Sequence, residues 1–125
     1  MAVRKATERF ARQEYPFTTK HNLAGYCGLA SLVLVRLLKK AGVPATVEKG
    51  YYDNDYGHAW VRLPNGAVLD VTATQFHKRL PKVYVGPGKK LTPATPGEMD
   101  PVSQWVPASW VSQVTRHARK LLTQV

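Results

Sequence analysis

Apolar residues recur at helical spacing from the start of the chain. Val3, Ala6, Phe10 and Ala11 share one side and leave charged residues on the other. This pattern predicts a short surface helix over Val3–Glu14, ended by Pro16. The stretch Phe17 to Tyr26 is polar and irregular. From Tyr26 or Cys27 to Ala41, the residues Leu29, Ala30, Leu32, Val33, Val35, Leu37 and Leu38 leave almost no polar face, so this segment reads as a central buried helix. Arg36, Lys39 and Lys40 lie near its end, where cations suit the carbonyl end of the helix dipole. Gly42 and Pro44 provide the stop.

Beyond Pro44 the period changes to two. Strands are predicted at Ala45–Gly50, His58–Leu63 and Ala67–Thr72, with a short one at Lys82–Val85 and a polar loop at Tyr51–Gly57. Asn65-Gly66 between two alternating runs is a strong hairpin signal. Gly86 to Val102 is rich in Pro and Gly and reads as a long surface loop. After a turn at Ser103–Trp105, a final helix is predicted over Pro107–Thr123. Its apolar face is Val111, Val114, Ala118, Leu121 and Leu122, with Arg116, Arg119 and Lys120 opposite. The expected fold class is α+β: a central buried helix packed on an antiparallel sheet, with N- and C-terminal helices. The length of 125 residues fits one domain.

Charge and cysteine count narrow the chemistry. Eighteen Lys and Arg against eight Asp and Glu give a net charge of +10, which suits an acidic partner such as nucleic acid or an acidic protein, or a well-solvated surface. No run exceeds two adjacent cations. A single cysteine excludes an internal disulfide and a multi-cysteine zinc site. His21, His77 and His117 lack metal-ligand spacing, and Asp53 with Asp55 lacks the glycine and glutamate positions of a calcium loop. No metal and no cofactor are expected. No apolar run approaches membrane-spanning length, and the first residues lack the apolar core of a signal peptide. A cytoplasmic location is the expectation.

Three residues carry the candidate chemistry. Cys27, in Gly25-Tyr26-Cys27-Gly28, stands where a glycine-flanked loop enters the buried helix. The positive end of a helix dipole stabilises a thiolate there, and the backbone N–H of Cys27 can help to hold an oxyanion. The competing reading is a small buried hydrophobe. His58 opens a strand and can serve as base beside the thiol, or as a structural histidine. Asp70 lies in the apolar run Val68-Leu69-Asp70-Val71, where a carboxylate needs a partner. Register decides whether His58 is that partner. A two-residue Asn65-Gly66 turn makes opposed positions sum to 131 and puts His58 and Asp70 on opposite faces. A three-residue Pro64-Asn65-Gly66 loop makes them sum to 130 and puts Asp70 diagonal to His58 on one face, about 7–8 Å away at the backbone. The three-residue loop, with Gly66 left-handed, is expected.

The segments Cys27-Gly28-Leu29-Ala30-Ser31, His58-Ala59-Trp60-Val61 and Leu69-Asp70-Val71-Thr72-Ala73 resemble the transglutaminase-like core of the papain-like cysteine protease superfamily. Its histidine motif is typically His-x-Trp-Val and its aspartate motif often Asp-x-Thr. Thr74-Gln75-Phe76 is similar to the continuation in small bacterial and phage members. The resemblance covers about residues 22–85. It implies a nucleophile, Cys27, a proton shuttle, His58, and an orienting carboxylate, Asp70, acting through an acyl-thioester on an amide. Water as second nucleophile gives a peptidase, amidase or deamidase, and an amine gives a transamidase. The upstream glutamine that often completes the oxyanion hole in papain-like enzymes is missing from Thr18–Tyr26. Asn22 is the candidate substitute, with His21 and Tyr26 behind it.

Around this core, Trp60, Tyr26 and Gln75 are candidates to line a substrate cleft, although Trp60 also suits core packing. Tyr51, Tyr52 and Tyr56 suit either a lid or packing on the sheet. The expected partner is a peptide or protein substrate, acidic if the net charge contributes. The alternatives are an acyltransferase using the same thiol and a non-catalytic basic module for nucleic acid or an acidic protein.

Overall fold

The computed structural model describes residues 2–14, 25–54, 56–73 and 82–122. The elements in chain order are α1 (Ala2–Glu14), α2 (Cys27–Lys40), β1 (Thr46–Tyr52), β2 (Tyr56–Arg62), β3 (Val68–Asp70), β4 (Tyr84–Gly86), β5 (Leu91–Pro93), a single 3-10 turn at Val102–Gln104, and α3 (Ala108–Leu122). The strands form one five-stranded antiparallel sheet in the order β4-β3-β2-β1-β5. The chain is therefore α+β, and no helix among the described residues is long and apolar enough to cross a membrane.

The three helices meet in one core. Phe10 of α1 packs 5.0 Å from Trp110 of α3 and 6.3 Å from Tyr26, ring centre to ring centre. Leu29 and Val33 of α2 join Val61 of β2 in the same apolar cluster. Burial on α2 is uneven. It is nearly continuous from Cys27 to Val35, whereas Leu37 and Leu38 are half-buried. The expectation of a helix buried on every face thus holds for its first turns, which carry Cys27, and not for its last.

Four strand expectations change. β1 runs on through Tyr51 and Tyr52, and Gly57 belongs to β2, so the expected polar loop shrinks to a tight turn. Asp53 and Asn54 adopt φ of 53° and 59° there, a conformation that short polar side chains tolerate. β3 stops at Asp70 instead of Thr72, because the Asp70 side chain takes the Thr72 N–H (2.8 Å) that a ladder bond would use. β4 lies one to two residues later than expected. β5, inside the stretch read as loop, pairs with β1 through Gly50↔Pro93 and Tyr52↔Leu91. Its Pro93 ends a three-residue edge strand, a position where proline is tolerated.

The β2–β3 hairpin has the three-residue loop. Leu63 and Ala67 close it through Leu63 N–H to Ala67 O (2.9 Å), Gly66 has φ +88°, and Val61 pairs with Leu69. Opposed positions sum to 130, the parity that puts His58 and Asp70 on one face.

Arg4, one of the cations of α1, is only 4% exposed. Its Nη1 donates to the carbonyl of Val71 (2.9 Å) and its Nε to Glu8 (3.0 Å). α1 thereby grips the backbone one residue after Asp70.

Candidate active site

Cys27 is the first residue of α2. Tyr26 before it makes no side-chain capping bond, so no side chain of that residue occupies the helix's first N–H groups. Cys27 is 7% exposed and shares an apolar cluster with Ala59 and Val102, against which Trp105 packs. Gly28 permits the close approach of Trp105: a Cβ there would lie 3.1 Å from the indole Cε3. The Trp105 N–H donates to the carbonyl of Asp100 (2.9 Å), which fixes the ring. Trp105 and Val102 come from a segment whose sequence shows only a turn, and no motif marked them as neighbours of the thiol.

His58 is fully buried on β2. Its Nε2 lies 2.6 Å from Asp70 Oδ2, and the Cys27 thiol is near enough to act on the charge of the ring. Burial pulls the His58 pKa down, but hydrogen bonds to Asp70 and Cys27, and the charges of both, outweigh it and raise the value to about 9. The second Asp70 oxygen, Oδ1, accepts from Thr72 N (2.8 Å) and Thr72 Oγ1 (2.9 Å). Both carboxylate oxygens are thus engaged, and the Asp-x-Thr spacing is what brings the threonine back onto the acid.

Trp60 shares the His58 face, with ring centres 6.0 Å apart. It is entirely buried, and its indole N–H has no acceptor among the described residues. Its Cη2 lies 2.8 Å from where a Cβ at Gly50 would stand, so Gly50 makes room for the ring. Tyr26 is 7% exposed and edge-on to Phe10. Both side chains therefore back the site from the core and do not line an open cleft, since fully packed rings have little surface to offer a substrate. Asn22 and Gln75, like His21, Phe76 and His77, lie outside the described residues.

A cavity of about 420 Å³ reaches Asp70. Its walls include Tyr52, Ala73, Tyr84, Lys90 and Leu91, and the ammonium of Lys90 stands 5.9 Å from the Tyr52 ring centre. Neither Cys27 nor His58 lines it. Tyr51 instead donates to Glu98 Oε2 (2.7 Å). Among the described residues, no three His, Cys, Asp or Glu side chains group as metal ligands.

No family model, no curated protein and no solved structure matches this chain. The Asp70 carboxylate holds the His58 imidazole, and the Cys27 thiol stands near that ring at the first residue of α2.

Proposed function

We propose that this chain is a cysteine hydrolase that cleaves a peptide or amide bond, with Cys27 as nucleophile, His58 as proton shuttle and Asp70 as orienting carboxylate. The observation that carries the proposal is the buried His58 ring, hydrogen-bonded to Asp70 and near enough to the Cys27 thiol for that group to raise its pKa. A histidine placed only for packing needs neither partner. The resemblance of the three segments to the transglutaminase-like core of the papain-like superfamily supports the same reading.

The Cys27 proton passes to His58, and Asp70 stabilises the imidazolium. The thiolate sulfur bonds to the substrate carbonyl carbon, and the carbonyl electrons move onto oxygen. The first N–H groups of α2 would donate to that oxyanion. When the oxyanion collapses, the C–N bond breaks, and the leaving amine takes the proton from His58. Water then adds to the thioester as His58 removes its proton. The acid is released, and the proton returns to the Cys27 sulfur. An amine in place of water would give transamidation. A free thiol nucleophile suits a reducing compartment, and so a cytoplasmic location.

Alkylation by iodoacetamide at about pH 6.5 tests the activated thiol, because an unassisted thiol is almost wholly protonated there. The proposal expects wild-type protein to react at least ~10-fold faster than His58→Ala. Equal, slow rates in both would refute it.

A further inference from the structure

A second cleft, of about 310 Å³, lies between α1 and α3 on residues that the thiol chemistry does not use. Arg9 and Gln13 of α1 and Gln113, Arg116, His117 and Lys120 of α3 line it. The α3 residues follow at i, i+3, i+4 and i+7 and so form one stripe, while Arg9 and Gln13 stand one turn apart on α1. Five of the six are exposed, and His117 is half-buried.

Among the described residues no carboxylate lines this cleft. The Glu8 carboxylate on α1 is held by Arg4 (3.0 Å) and Arg12 (3.2 Å). Arg9 Nη1 lies 3.2 Å from both ring nitrogens of His117. Equal distances put it over the ring face, since an in-plane approach at that range would run into Cε1. With Nη1 held over the ring, the Arg9 guanidinium is not spent on a carboxylate. Partial burial and the charges of Arg9 and Lys120 hold His117 below its ordinary value. The cleft thus already disfavours one more proton, as a region of excess positive potential does.

We propose that the α1–α3 cleft is the docking surface for the phosphodiester backbone of a nucleic acid. Planar guanidinia such as those of Arg9 and Arg116 match phosphate oxygens two at a time. Glutamine amides suit phosphate and sugar oxygens, which take most protein–DNA hydrogen bonds. The chain's +10 charge is spread over many cations, and such a field draws most from the partner of highest linear charge density. A duplex carries one negative charge per ~1.7 Å, denser than an acidic peptide supplies. This inference is independent of the thiol chemistry and survives its failure.

Fluorescence anisotropy with a short labelled double-stranded DNA, at salt between ~50 and ~200 mM, tests it. Arg9→Gln combined with Arg116→Gln is expected to weaken binding at least ~10-fold and to reduce the salt slope by about 1 to 2. Lys39→Gln combined with Lys40→Gln removes the same charge from exposed positions at the end of α2. It is expected to change affinity less than ~3-fold. In the wild-type protein, amide chemical-shift changes on adding the DNA should cluster on α1 and α3. Absent binding, equal losses in the two double variants, a shift map centred elsewhere, or displacement of the DNA by polyglutamate of matched charge would each overturn the proposal.

Discussion

His58 Nε2 and Asp70 Oδ2 are 2.6 Å apart, with the ring fully buried and the carboxylate nearly so. The pair exists because the hairpin between their strands has three loop residues. One residue fewer would turn Asp70 to the other face of the sheet.

This pairing makes stability depend on pH in a definite direction. The folded His58 value, about 9, stands above the ordinary 6.5. A raised value contributes stability that is fully present below about pH 6.5 and is lost as pH rises through about 9. In Asp70→Asn the stronger of the two partners that raise it is gone, and burial shifts the balance toward the neutral ring. Urea denaturation should find wild type more stable than Asp70→Asn by on the order of 2–3 kcal/mol near pH 6, with the gap shrinking toward pH 9. A gap that is constant with pH would contradict the ion pair.

Gly66 sets the loop. Its φ of +88° is left-handed, and a Cβ there would meet nothing within 4 Å. Gly66→Ala is therefore expected to cost only the backbone penalty, about 1–2 kcal/mol in urea denaturation. A neutral result would mean that the loop tolerates another conformation.

Gly50 is a stricter case. A Cβ there would collide with the carbonyl of Thr92 and press on Trp60. Neither can give way easily, since one is backbone in the β1–β5 pairing and the other is a fully buried ring. Gly50→Ala should cost about 3 kcal/mol or abolish folding. Circular dichroism melts would register the loss, and an unchanged melting temperature would refute this packing.

Arg4 links the first helix to the candidate site. Arg4→Met keeps the aliphatic bulk but leaves the Val71 carbonyl and part of Glu8 without their donor. A loss of about 2–4 kcal/mol in urea denaturation is expected. A loss below ~0.5 kcal/mol would place Arg4 among ordinary surface residues.

Much of this arrangement was legible in the sequence, because period and parity are local. The apolar runs outlined all three helices. Alternation outlined β1 to β3, and the Asn-Gly turn with its parity argument gave the hairpin register that joins His58 to Asp70. What stayed hidden depends on long-range packing. β5 has three residues in a Pro- and Gly-rich stretch and exists because the end of β1 offers a free edge. Arg4 reads as a surface cation until Val71 is brought against it, 67 positions away. Trp105 and Val102 reach Cys27 only through the fold. Trp60 and Tyr26 had the right place in the chain for a cleft, but their bulk was better used in the core.

The most direct measurement concerns the acyl-thioester itself. Wild-type protein, Cys27→Ala and His58→Ala are each incubated with an activated acyl ester and read by intact mass and peptide mapping. The account predicts an acyl adduct on Cys27 in the wild type that water then removes, no adduct in Cys27→Ala, and greatly slowed formation in His58→Ala. Wild-type protein that forms no adduct, or forms it at the same rate without His58, would contradict a nucleophilic role for this thiol.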